Sequence, residues 1–305
     1  LTFDAGNLLF NVDDIPTAEL PLKQETARLI IDVYNDLNYQ ASNVGGHDFA
    51  LGLEFLKELQ TQARFTFISA NVIDSLTGKP VFEPYKIYKA GKKRFGVIGV
   101  TSVWNEKCRN FRIEDPIQSI EKYLPVLRKS ADYIVVLGAL NSGDENKLKS
   151  INGKIDFILL AGTYRYSRSL EVVEDRHIAR CGTIGKYIGV ITAEINQPQK
   201  PLQDISNVNM QLEYSGNRLE SFKLNAGPKS IAEYYADKPN QLKIIRDLEN
   251  SQRDLKQRKS QVQNPLDFKL VGLNEEIEDN PAIRRKLDDF QKRMKARGFD
   301  INSAH

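Results

Sequence analysis

Cysteine, histidine, methionine and tryptophan are scarce in this chain: two, three, two and one in 305 residues. Cys108 and Cys181 have neither metal-ligand spacing nor a CxxC partner, so they read as buried thiols or at most one disulfide. Three histidines without a nearby Cys or His cluster supply no zinc site, and the absence of CxxCH excludes covalent c-type haem. No apolar run approaches the ~20 residues that a membrane-spanning helix needs. Glycine and proline, at 19 and 12, are too few for a collagen-like chain. Charge of one sign is lacking too. The 43 Lys and Arg stand against 40 Asp and Glu, and a net charge of +3 gives no general attraction to nucleic acid. The first residue is Leu1, and neither an initiator Met nor a basic leader precedes the apolar LTFDAGNLLF. The chain therefore reads as processed or incomplete at its start.

What is present is an alternation of strand-like and helix-like segments. FTFISANVID, KRFGVIGVTS, ADYIVVLGAL and KIDFILLAGT are short apolar runs rich in Val, Ile and Phe, the pattern of buried strands. Between them, ETARLIIDVYNDLN puts Leu29, Ile30, Val33 and Leu37 toward one helical face, and DPIQSIEKYLPVLRKSA does the same with Ile117, Ile120, Leu124 and Leu127. Asp115 followed by Pro116 is an N-cap with proline at the first helical position. This alternation predicts an α/β domain with functional loops at the strand ends. EVVEDRHIAR, YIGVITAEI and VNMQLEYSG alternate apolar and polar residues and are read as half-exposed strands, with His177 at the surface.

Composition shifts near Ala226-Gly227-Pro228, so residues 1–225 are expected to form one domain and residues 226–305 an amphipathic helical tail. Residues 236–305 hold 15 Lys and Arg against 12 Asp and Glu, the whole formal excess of the chain. Leu242, Ile245, Leu248 and Leu255 form one stripe, and Ile283, Leu287, Phe290 and Met294 a second, with Pro265 between. The second stripe is expected to dock a protein partner or another copy of the chain. EEIED at 275–279 lacks the alternating oxygen spacing of a calcium loop and reads as a solvated helix start.

The stretch NYQASNVGGHDFALGLEFLKELQTQARFTFISANVIDSLTGKPVFEPYKIYKAGKKRFGVIGVTS (38–102) resembles the calcineurin-like metallophosphoesterases, and specifically their bacterial 5′-nucleotidase branch. There a Gly-Asn-His-Glu/Asp-Phe motif leads a helix, and a Ser-Ala-Asn strand precedes Gly-Val-Ile-Gly-Leu-Thr. LTFDAGNLLF is similar to the family's Asp-Ala-Gly-Asp loop, ADYIVVLGALNSG to its Val-Leu-Ser-His-Leu-Gly strand, and KIDFILLAGTYRY to its Gly-His-Ser-His strand. The resemblance covers about residues 1–225 in the family's order. It implies an αββα sandwich, extended here by C-terminal helices, with two divalent metals at the strand ends that activate water and stabilise charge on a phosphoryl group.

The resemblance also identifies what has been replaced. The family's first motif, Asp-x-His, would lie upstream of Leu1. Its bridging Asp falls on Asn7, its Asn on Gly46, its next His on Ala139, and the two His of its last motif on Thr163 and Arg165. Alanine and glycine offer no donor, Asn brings no charge to share between two dications, and a guanidinium repels a cation. Only His47 and Asp48 remain, as a vestige of the catalytic pair, with Asp48 expected to orient His47 or His47 simply to bond backbone at a turn. Metals are therefore expected only if the missing ligands come from upstream or from another chain. A metal-free anion pocket of Asn7, His47, Asn141, Thr163 and Arg165 is the further possibility. The family's large nucleotide-binding C-terminal domain has no counterpart here. LVGLNEEIEDNPAIRRKLDDFQKRMKARG is instead similar to the helical segment that joins such domains to a multihaem cytochrome. The resulting expectation is a catalytically inactive, periplasmic or extracellular scaffold or binding module, the alternative being an active phosphoesterase.

Overall fold

A computed structural model describes residues 1–102, 111–183 and 185–299. The strands are β1 (Phe3–Asp4), β2 (Ala41–Asn43), β3 (Thr66–Ile68), β4 (Val72–Asp74), β5 (Tyr85–Ala90), β6 (Lys93–Thr101) and β7 (Phe111–Ile113). They continue with β8 (Tyr133–Ala139), β9 (Phe157–Ala161), β10 (Glu171–Val173), β11 (Arg176–Arg180), β12 (Tyr187–Ala193), β13 (Gln203–Asp204) and β14 (Pro265–Gly272). The helices are α1 (Leu20–Asp36), α2 (Gly52–Gln62), α3 (Pro116–Ser130), α4 (Ser142–Lys149), α5 (Ser206–Ala226), α6 (Ile231–Tyr234), α7 (Pro239–Gln261) and α8 (Pro281–Ala296).

Two compact units emerge. The first comprises residues 1–167, 171–188 and 272–305; the second comprises 168–170 and 189–271. In the first unit, β1, β2 and β3 form a parallel sheet, and a six-stranded sheet runs in the order β10, β11, β9, β8, β6, β5. Strands β6, β8, β9 and β11 are parallel, and the antiparallel β5 and β10 close the two edges. Ala27 and Ile31 of α1 and Phe55, Leu56 and Leu59 of α2 join Phe67 of β3 in one core. Ile120, Leu124 and Leu127 of α3 and Leu148 of α4 join Ile98, Val136 and Ile158 in the other. The layers are thus helix, sheet, sheet, helix, as expected.

The two sheets approach closely where glycine permits it. A Cβ on Gly99 of β6 would lie 2.7 Å from the Ile68 carbonyl of β3, so the position tolerates no side chain. Ala70 N–H reaches the Gly99 carbonyl at 2.7 Å, tying the sheets together through backbone.

Asp115 caps α3 as expected, its carboxylate accepting from the N–H groups of Ile117 and Gln118. The inward face of α1 is shifted from the expected one: Ala27, Ile31 and Asn35 are buried, whereas Leu37 is 46% exposed. Those three residues repeat every fourth position, and the bulkier Leu29 is only partly buried.

VNMQLEYSG is not a strand but part of the 21-residue helix α5, which continues through Ser215, Gly216 and Asn217 to Ala226. The composition break near 226 is the end of this helix, at Gly227 with φ 58°. The expected tail also contains a strand, β14, where Leu266 and Phe268 are buried at alternate positions. In the second unit α5 packs along α7, with Leu219 and Phe222 against Tyr235 and Ile245.

The second stripe expected to dock a partner is covered within the chain at two of its four positions. Phe290 and Met294 are buried against Leu22 of α1, whereas Leu287 is 37% exposed. Lys286 bonds Asp32 and Asp36 of α1 at 2.7 and 2.6 Å, fixing α8 in this orientation. His177 is not at the surface but 2% exposed, because β11 lies inside the sheet between β9 and β10. Cys108 lies outside the described residues, and with it the question of a bond to Cys181. No helix among the described residues is long and apolar enough to cross a membrane.

Candidate functional site at the strand ends

Register brings the carboxyl ends of the central strands level. Thr101 of β6 pairs with Ala139 of β8, which pairs with Ala161 of β9. The loops that follow converge there, as open α/β sheets generally arrange their sites. Asn43, at the end of β2, donates to the carbonyls of Ala5 and Val100 at 2.9 and 3.0 Å. Asn71 donates to the Thr101 and Glu114 carbonyls at 2.6 and 2.9 Å, and its own oxygen accepts from Thr101 N–H. These two buried amides hold the rim of the site.

Asn7 stands at the centre in the left-handed region, φ 60°, a conformation Asn tolerates better than most residues. Its side chain is wedged between two glycines: a Cβ on Gly45 would fall 2.1 Å from its Oδ1, and one on Gly162 would fall 3.3 Å from its Nδ2. Ala139 faces the same loop, since a Cβ on Gly6 would lie 3.1 Å from the Ala139 Cβ. Four of the five positions expected to have lost metal ligands, Asn7, Gly46, Ala139 and Thr163, thus lie in or beside this packed junction.

Asp48 does not orient His47. It is 2% exposed and accepts backbone N–H bonds from Asn7 (3.1 Å), Leu9 (2.8 Å) and Gly45 (2.8 Å), joining the loop after β1 to the loop after β2. Burial pushes its carboxyl up to about 7, against those three bonds and with help from the nearby Asp4 charge. Asp4 is also pushed up by burial, although Gly6 N–H, Tyr34 and Ser42 donate to it. His47 opens a short 3₁₀ turn; its N–H bonds Asn7 Oδ1 at 3.1 Å and its Nδ1 lies 2.7 Å from Asp13 Oδ1. The ring partner is thus a carboxylate and not the expected backbone. Asp13 sits in a loop with no motif of its own, and no sequence signal marks it.

The remaining members of the expected anion pocket are not drawn in together. Asn141 is the N-cap of α4, its Oδ1 accepting from Asp144 N–H at 2.9 Å and its Nδ2 donating to Asp144 Oδ2 at 3.2 Å. Its side chain is spent on the helix. Thr163 Oγ1 accepts from Arg165 N–H at 3.2 Å, and the Arg165 side chain is exposed without an ion pair among the described residues.

The donor set present does not fit a two-metal centre. Asn7 Oδ1 and both Asp48 oxygens already accept backbone bonds, and Gly46 and Ala139 offer nothing. Among the described residues no group of three or more His, Cys, Asp and Glu could hold a metal ion.

No family model matches the chain. It is 32% identical over 130 residues to a 2′,3′-cyclic-nucleotide 2′-phosphodiesterase/3′-nucleotidase of Yersinia enterocolitica, covering 38% of this chain and 20% of that protein. It is 28% identical over 159 residues to a 5′-nucleotidase of Vibrio cholerae, covering 50% of this chain and 29% of that protein. A crystal structure of a putative 5′-nucleotidase from Staphylococcus aureus superposes with a TM-score of 0.54 at 19% identity, covering 63% of this chain and 41% of that one. The chain thus spans less than a third of the length of these curated relatives.

Proposed function

We infer that the chain is related to the calcineurin-like phosphoesterases and their 5′-nucleotidase branch, because its motifs resemble theirs and its relatives and structural neighbours include nucleotidases and a calcineurin-like phosphoesterase. We propose that the chain is a member without hydrolytic chemistry, serving as a scaffold or binding module in an extracytoplasmic assembly. The observation that carries this reading is the junction at Asn7. Its amide oxygen is committed to His47 N–H, its flanks are glycines, and the carboxylate of Asp48 is committed to three N–H groups. A two-metal mechanism needs anionic oxygens free to face the metals, and this junction uses its oxygens to hold loops instead. The extracytoplasmic placement rests on resemblance to the nucleotidase branch.

His47 with Asp13 could still move a proton, but general acid–base catalysis alone contributes only ~10²–10⁴-fold. The test is hydrolysis of nucleotides and p-nitrophenyl phosphate by the purified chain with added Mn²⁺ or Zn²⁺, together with elemental analysis. The expected results are background turnover, unchanged in His47→Ala, and no two-metal stoichiometry. Metal-dependent turnover abolished by His47→Ala would overturn the proposal. A metal-free anion site at Thr163 and Arg165 is a second reading, favoured by the exposed guanidinium of Arg165, which has no ion pair among the described residues; Asn141 takes no part in it.

A further inference from the structure

At the opposite ends of β2 and β3 from this junction, a cavity of about 290 Å³ opens where the three-stranded sheet meets β5. Tyr39, Gln40, Arg64, Thr66, Lys86 and Tyr88 line it. We propose that this cavity binds a small dicarboxylate. The proposal goes beyond the proposed function and does not depend on it.

The floor is already built and its polar groups are spent. Tyr88 donates to the Gln40 carbonyl at 2.9 Å, Gln40 Oε1 accepts Thr2 N–H, and Gln40 Nε2 donates to the Asn38 carbonyl. Tyr39 is held by stacking on Tyr34, ring centroids 3.9 Å apart. Such a floor has little freedom to lose on binding, which favours occupancy.

What is left unspent is cationic. Lys86 donates to Thr66 Oγ1 at 2.9 Å, one bond for a group with three donors. The Arg64 guanidinium, with five donors, touches Asp36 Oδ1 at 3.3 Å. Asp36 has a closer claim on it: Lys286 lies 2.6 Å from its other oxygen and is the leading cause that holds its carboxyl below the usual range. The positive charge of Arg64 is therefore only partly answered. Two donor-only groups in one lining call for a ligand made of acceptors. The planar fork of Arg64 matches a carboxylate through two parallel bonds, and the compact ammonium of Lys86 suits a second carboxylate. The volume lies at the lower limit of small-molecule pockets, so the class is small.

The test is calorimetric titration of the full chain with succinate, acetate and inorganic phosphate at constant ionic strength. Succinate should give a saturable isotherm, with acetate and phosphate each at least tenfold weaker. Arg64→Met and Lys86→Met should each weaken succinate at least tenfold, and Arg285→Met on α8, which does not line the cavity, should not. Both lining residues are solvent-accessible, so a thermal melt should show the variants folded. Absence of succinate binding, equal affinity for acetate or phosphate, or equal loss in Arg285→Met would each overturn the proposal.

Discussion

Asp48 offers a test of how the junction is held, through Asp48→Asn. The amide oxygen can take the place of the carboxylate oxygen that accepts from both Asn7 and Gly45 N–H, but its NH₂ then faces the N–H of Leu9. One buried donor loses its acceptor, so the variant should be destabilised by about 1–3 kcal/mol at pH 5. The pH dependence is a separate signature. The carboxyl is pushed up to about 7 in the folded chain and lies near 3.9 when unfolded. Between those values the folded state holds a proton that the unfolded state has released. Stability from this group is therefore fully present below pH ~4 and is lost as pH rises toward 7, with a slope of about −1.4 kcal/mol per pH unit in between. Asp4 and Asp156, both also raised, act in the same direction and are common to both proteins. The difference between wild type and Asp48→Asn reports this carboxyl together with its coupling to Asp4. Urea unfolding at pH 5.0, 5.75 and 6.5 measures it: the wild-type advantage should shrink by roughly 2 kcal/mol across that range. An advantage that stays constant or grows with pH would show that Asp48 is ionised throughout, its three N–H bonds outweighing burial. A variant as stable as wild type at pH 5 would refute the account of the junction itself.

Two further expectations concern helices that the sequence assigned to other tasks. Phe290→Ala should cost ~3–5 kcal/mol in urea unfolding because its ring is 4% exposed, whereas Leu287→Ala, at 37% exposed, should cost under about 1 kcal/mol; equal small losses would mean that α8 is not held by α1. Asn141→Ala should remove the cap of α4 for about 0.5–2 kcal/mol, and Asn141→Asp should retain most of it; an unchanged melting curve in Asn141→Ala would return that side chain to the pocket.

The apolar runs of β6, β8 and β9 were legible because these strands pair in parallel within a sheet covered on both faces, where apolar runs are nearly continuous. Val135, Val136 and Leu137, consecutive and all buried, show the pattern directly. Legibility failed where period and environment disagreed. Val208, Met210, Leu212 and Tyr214 alternate as a strand would, but α5 exposes Met210 and Tyr214 at 47% and 62%, and its true inward residues, such as Ser215 and Ala226, are small. His177 was misplaced because charged neighbours normally mark a surface. Here Arg176 is itself buried and bonds the carbonyls of Lys149 and Ile151, so charge in that strand marks the capping of a loop and not contact with water.

The site was legible as a set of positions and illegible as a set of contacts. Motif order placed Asn7, Gly46, Ala139 and Thr163 near one another, but no spacing in the sequence announces that Asp48 serves three N–H groups or that Asp13 reaches His47. Those contacts depend on where two loops cross, which is fixed by sheet packing at Gly99 and by the amides of Asn43 and Asn71. They also bear on how such a junction holds its shape. Two dications would otherwise draw loops together by charge; here the same loops are joined by one buried carboxylate and one left-handed asparagine, each satisfied by backbone donors. A carboxylate held in this way resists ionisation as it is buried, whereas a metal-bound one is stabilised in its charged form. The titration of Asp48 therefore separates a junction that holds loops from one that holds metal.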